Sequence, residues 1–177
     1  MAMQTATDLF LHELSGIYSA EQVIAQMLPT LTSEATNAQV KQALQQHERE
    51  TQQQIQNLDQ AFRQLGARPI QVECFAVEGL KRQHDEFKRE QPSDQVLTGY
   101  IVSAAAKTEH YEMAAYRGLV EQAKLMGQQE VARLLQQNLQ QEEQMAQQVE
   151  QIGRQLGQQM IQSSMGQQPG QHPQAPM

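Results

Sequence analysis

Two short runs in this chain hold residues whose types and spacing could do chemistry. His47 and Glu50 stand three apart in HERET, and Glu109 and Glu112 stand three apart in EHYE. Residues three apart on a helix face the same way. An imidazole beside a carboxylate, and a pair of carboxylates, suit a cation that takes oxygen ligands with some nitrogen, such as iron or manganese. Both runs interrupt an apolar stripe. Val40 and Leu44 precede the first, and Leu58, Phe62 and Leu65 follow it. Carried across the gap, that spacing puts His47, Thr51 and Gln54 on the buried face, with Glu50 at its edge. Glu109 and Glu112 share a face with Val102, Ala105, Tyr116, Leu119 and Ala123.

Two further stripes carry one acid each. Phe10, Leu14, Ile17, Glu21, Ile24, Leu28 and Leu31 form one, with Tyr18 a turn before Glu21 and placed to donate to it. Val131, Leu135, Asn138, Glu142, Met145, Val149, Ile152 and Leu156 form the other. An ionised carboxylate buried without a partner costs several kcal/mol, so each of these acids needs one.

The elements that must position these residues are long helices. Thr5 or Thr7 caps a first helix that begins near Asp8. A cap-rich turn, TSEATN, ends it. A second helix runs from about Ala38 to Gly66, with Asn37 as its cap and Gly66 as its stop. A shorter helix from Cys74 to about Lys88 should cross the bundle. Ser93 caps a third long helix, from about Asp94 to Met126, and a fourth runs from about Gln129 to Leu156. The spacing predicts an all-α fold: a four-helix bundle of two antiparallel hairpins joined by a crossover with a short extra helix. Residues 1–156 make the bundle. Residues 157–177, rich in Gln, Gly and Pro, are expected to be a disordered tail that includes His172.

In antiparallel hairpins, residues at mid-helix lie at one level. Glu21, His47, Glu50, Glu109, Glu112 and Glu142 should therefore meet in one layer. Five carboxylates without cations repel one another strongly. Lys107 is the only cationic side chain near enough in sequence to help. Two metal ions, iron or manganese, would neutralise the layer.

Composition narrows the rest. Gln is about a fifth of the chain and Pro keeps to a few breakpoints, which favours helix. The net charge of −7 and the lack of a basic patch argue against nucleic acid. A single Cys excludes an internal disulfide and suits the cytoplasm. The start lacks a signal peptide's pattern, and no apolar run is long enough for a membrane span. The nine Met residues read as packing filler rather than a copper site. Polar, nearly uncharged faces (Gln45, Gln52, Gln53, Gln136, Gln140) suggest a homodimer.

LFLHELSGIYSAEQ, HERET, CFAVEGL, AAAKTEHYEMAAY and LLQQNLQQEE together resemble the YciE/YciF-type ferritin-like stress proteins, over about residues 3–155. That resemblance implies a ferritin-like bundle with a dinuclear metal site. Its ligands carry over at Glu21, Glu50, Glu112 and Glu142, with His47 and Glu109 completing the shells. The usual Glu-x-x-His does not recur: Gln53 follows Glu50, and Met145 follows Glu142, at that spacing. His110 is at best a hydrogen-bonding neighbour. The implied activities are redox chemistry on oxygen or peroxide, non-catalytic iron binding or storage, or a structural role. There is no Cys-x-x-Cys pair to serve as a built-in electron donor.

Overall fold

The computed structural model describes residues 3–165. Every regular element among them is a helix: α1 (Ala6–Glu34), α2 (Ala38–Gln64), α3 (Phe75–Arg89), α4 (Asp94–Leu125) and α5 (Gln129–Met165). The ends form where the sequence supplies local partners. The Thr5 hydroxyl accepts from the Asp8 amide at 3.1 Å, and the Asp8 carboxylate accepts from the Thr5 amide at 2.9 Å, a reciprocal capping box. Asn37 accepts from the amides of Gln39 and Val40, and Ser93 accepts from that of Val96. Gly66 and Gly127 close α2 and α4 with φ of +62° and +72°, a region open to Gly at little cost. Pro29 departs from the pattern of Pro at breakpoints, because it lies inside α1. It is exposed, so the carbonyl it leaves without an amide donor, that of Ala25, is near solvent.

The four long helices pack as a ring. α1 lies on α2, α2 on α5, α5 on α4 and α4 on α1, while α3 packs over α4 and α1. α2 and α4 are thus diagonal, and the connection between them must cross. Thr98, near the start of α4, bonds to Thr36 in the α1–α2 turn. α4 therefore begins at the end where α2 begins, and the two run parallel. α3 makes the return: Cys74 at its start touches Tyr111, and His84 near its end pairs with Glu34 beside the turn. This is the ferritin-like crossover bundle expected from the helix pattern.

Phe10, Leu14, Ile17, Leu58, Ile101 and Leu135 are among the residues that fill the core. Small residues let α4 and α5 approach closely: a Cβ on Gly153 would stand 3.3 Å from Val102 Cγ1. α5 differs from expectation at its far end. It continues through Met165 instead of giving way to a tail at Gly157. Gln costs a helix little, and Met160 extends the spacing of Ile152 and Leu156 to lie against Gly99 of α4. The rest of the predicted tail, 166–177 with His172, lies outside the described residues.

Candidate metal centre

The four interruptions do meet inside the bundle. His47 on α2, Glu109 and Glu112 on α4 and Glu142 on α5 are all buried, and one ligand atom from each lies within 4.8 Å of all the others. Opposite ligands of a small octahedral ion are about 4.2 Å apart, given metal–oxygen distances of about 2.1 Å. The group, at up to 4.8 Å, is a little wider than one such shell. His47 Nδ1 stands 3.1 Å from Glu109 Oε1. Glu21 on α1 is buried as well, and one of its oxygens accepts a hydrogen bond of 2.5 Å from the Tyr116 hydroxyl.

Around these ligands runs a set of neutral donors. Gln54 Nε2 donates to Glu142 Oε1. Asn138 Nδ2 donates to the Tyr116 hydroxyl at 3.0 Å and to the Gln54 carbonyl, and Asn57 Nδ2 donates to Asn138 Oδ1 at 2.7 Å. Each fixes one carboxylate oxygen or the group that holds it. Among the described residues, Glu21 Oε2, Glu109 Oε2, both oxygens of Glu112, Glu142 Oε2 and His47 Nε2 have no donor in hydrogen-bonding geometry, and Glu109 Oε1 has only the His47 ring beside it. Nor does Lys or Arg form an ion pair with any of them there. Lys107 points away, its Nζ 6.0 Å from the centre of the Tyr100 ring.

The carboxyl groups respond by holding protons. Burial pushes Glu21 up to about 8, reinforced by the charge of Glu142 and opposed by the Tyr116 hydrogen bond. Burial likewise pushes Glu109 up to about 8, opposed by a hydrogen bond with Glu142 and reinforced by the Glu21 and Glu50 charges. Glu112 rises well above the carboxylate range through burial, then through Glu142, Glu21 and Glu109. Glu142 does so through burial and Glu109. Crowded, buried carboxyl groups with no Lys or Arg partner among the described residues form a group able to hold a cation.

Of the six residues singled out from sequence, four form the compact group and Glu21 lies beside it. Glu50 is placed differently. It is half-buried at the edge of the layer, and one oxygen accepts from Gln46 Nε2 at 2.9 Å. The buried face of α2 runs through His47, Thr51 and Gln54, as the spacing of the flanking apolar residues predicts. Tyr18 does not reach Glu21; its hydroxyl donates to Asp59 at 2.9 Å. His110 is exposed and pairs with Glu150, away from the centre. Gln54, Asn57 and Asn138 were missed as site residues. The signal for Gln54 and Asn138 was present, since both are polar residues on otherwise apolar stripes.

Comparison with known proteins agrees with this architecture. A family described as "Domain of unknown function (DUF892)" matches residues 5–162. The chain belongs to that family. Protein YciF of Escherichia coli K12 is 34% identical over 140 residues, 78% of this chain and 84% of that protein. The crystal structure of the E. coli stress protein YciF superposes with a TM-score of 0.84 at 30% identity, over 88% of this chain and 99% of that one. YcfI of Rhodopseudomonas palustris, described provisionally as a structural protein, gives 0.80 at 41% identity, over 83% and 94%. This DUF892 chain is thus a YciF-type bundle with a buried His/Glu group able to hold a metal ion.

Proposed function

We propose that this DUF892 protein binds two iron or manganese ions at the buried layer and serves in stress by handling a small oxidant, oxygen or peroxide. The observation that carries this is the crowding of buried carboxylates around one imidazole with no Lys or Arg paired to them among the described residues. His47, Glu109, Glu112 and Glu142 converge within 4.8 Å, Glu21 is buried beside them and Glu50 lies at the rim. The charge of five carboxylates is more than one divalent ion neutralises. His47, Glu109, Glu112 and Glu142 hold one ion. Glu21 and Glu50, flanking that group, complete the ligands for a second. When bound, such ions supply one-electron redox exchange with the oxidant.

The chain's own part is positional. Tyr116 and Gln54 each hold one oxygen of Glu21 and Glu142 and leave the other free. The apolar stripes above and below the layer keep water out, so the charges act at full strength. Asn138 supports both holders at once. The single Cys fits a cytoplasmic setting.

The test is metal analysis of protein purified without chelator, followed by turnover with oxygen and with peroxide. Two metals per chain, lost in Glu112→Gln, support the reading. Protein that stays metal-free in metal-replete medium overturns it. The description of YcfI favours a second reading, in which the metal only stabilises the bundle; loading without turnover would support that one.

A further inference from the structure

We infer that His84 of α3 is a positioning residue for His47: through one ordered water in the cavity they share, it turns the Nδ1 lone pair of His47 toward the carboxylates. The inference rests on the metal reading above. Both rings are buried, His84 at 4% exposure and His47 at 2%. Yet His84 Nδ1 and His47 Nε2 have no hydrogen-bond partner among the described residues. Both residues line one cavity of about 30 Å³ beneath α3. Buried polar atoms are costly to leave unpaired, so two of them on one cavity wall point to a shared partner.

The tautomers follow from what holds each ring. His84 Nε2 bonds to Glu34 Oε2 at 2.7 Å, and Glu34 also pairs with Lys88. An ionised carboxylate only accepts, so in the neutral ring the proton sits on Nε2 and Nδ1 offers a lone pair. His47 has the opposite need. Its Nδ1 stands 3.1 Å from Glu109 Oε1, on the side of the ligand group. To ligate there, Nδ1 must give its lone pair, so the proton must sit on Nε2. Of the two open nitrogens, one is then a donor and the other an acceptor.

The space between them suits water. One water needs roughly 10–15 Å³ measured in this way, and two to four polar partners. Here it accepts from His47 Nε2–H, donates to His84 Nδ1 and donates to Thr108 Oγ1, on the same wall. Thr108 spends its own proton on the Ala104 carbonyl at 3.1 Å, and its lone pairs are left to accept. The rest of the wall is apolar, with Ile24, Leu28, Leu44 and Val77 among its residues, so it offers His47 no other acceptor. A metal-bound imidazole keeps its tautomer and orientation by giving its second N–H to such a partner. The order Glu34, His84, water, His47 supplies that partner from the crossover helix.

Two substitutions separate positioning from anchoring. Gln sets its amide about where the far ring nitrogen of His stands, and Asn about where the near one stands. His84→Gln therefore keeps the bond to Glu34 and loses the acceptor for the water, and His84→Asn does the reverse. Zinc(II) is the probe ion, since it takes imidazole and carboxylate ligands. His84→Gln should lower the zinc affinity of the full chain about 10–100-fold. His84→Asn should hold it within a few-fold while lowering the melting temperature. In zinc-loaded wild-type protein, the ring-nitrogen chemical shifts of isotope-labelled histidine should show His47 bound through Nδ1 and protonated at Nε2. A high-resolution crystal structure should show the water bonded to both rings. Unchanged affinity in His84→Gln, His47 bound through Nε2, or a cavity without the water each overturns the positioning role and leaves the metal reading standing. Protein that takes up neither zinc nor manganese overturns the metal reading, and the role of His84 with it.

Discussion

Loading the centre at pH 7 should drive protons off the bundle, and the structure bounds how many. Glu21 and Glu109 are pushed to about 8, and a group with that pKa keeps its proton roughly nine times in ten at pH 7. Glu112 and Glu142 are pushed up strongly too. In the unfolded chain such groups sit near 4.5 and hold almost none. The metal-free fold therefore carries up to about four extra protons, shared within the cluster rather than owned by single residues. Ligation needs the carboxylates ionised. Manganese(II) added at pH 7 should thus release roughly two to four protons per chain. Calorimetric titration in buffers of contrasting ionisation enthalpy counts them. Full loading with less than about one proton released would refute the account, because it would mean the acids were already charged.

The same shift sets the pH dependence of stability. The folded pKa values lie above the unfolded ones, so the metal-free fold binds more protons than the unfolded chain. Its stability is then fully present below about 4.5 and is lost as pH rises through about 8. The slope is about 1.4 kcal/mol per pH unit for each extra proton. The urea midpoint of chelator-treated protein should be higher at pH 5.5 than at pH 7.5, and apparent metal affinity should run in the opposite sense.

Tyr116→Phe removes the hydroxyl that donates to Glu21 and accepts from Asn138; it should cost about 1–3 kcal/mol, or several degrees of melting temperature for a domain of this size. Glu50→Gln should lower the metal count from two toward one per chain while His47, Glu109, Glu112 and Glu142 keep the other; two metals at unchanged affinity would show that Glu50 is not a ligand. Truncation after Leu156 removes Met160 from its seat against Gly99 and should cost about 1–2 kcal/mol by lost burial, readable as a drop in the urea midpoint. Light scattering at micromolar concentration should give a dimer joined through the Gln-rich faces of α2 and α5, and a monomer would exclude it.

The helices were legible because their ends are written in local chemistry. Thr5 with Asp8, Asn37, Ser93, Gly66 and Gly127 each act within four residues of the boundary they set, so no tertiary contact is needed to find them. The end of α5 was not legible for the converse reason. Gln158 and Gln159 neither favour nor forbid a helix strongly, and what holds the last turns is Met160 against a glycine some sixty positions earlier in the chain. Tyr18 failed in a similar way. One turn from Glu21, it had a local partner available, yet the α1–α2 pairing offers it Asp59, and a half-exposed phenol gains from a carboxylate it need not desolvate fully.

The buried layer was legible as a set of interruptions, and the place of Glu50 at its rim has a geometric cause. A helical stripe fixes which residues face inward only to within about half a turn. On α2 the two faces consistent with the flanking Leu44 and Leu58 differ by whether Glu50 or Thr51 looks inward. The apolar spacing turns Thr51 inward with Glu50 at the edge, and packing against α5 favours the same His47, Thr51 and Gln54 face, because Gln54 then meets Glu142 and Asn57 meets Asn138. Two inter-helix hydrogen bonds thus accompany that register, and Glu50 is left at the rim where Gln46 holds it. Of the ligands proposed above, Glu50 therefore has the least buried charge to neutralise. It is consequently the residue whose engagement should depend most on the second ion being present: the first ion to bind should leave the Gln46–Glu50 bond intact, and the second should break it. Titration followed by the side-chain amide resonance of Gln46 separates the two events. A change in that resonance with the first equivalent of metal would place Glu50 in the first ion's shell and contradict this order.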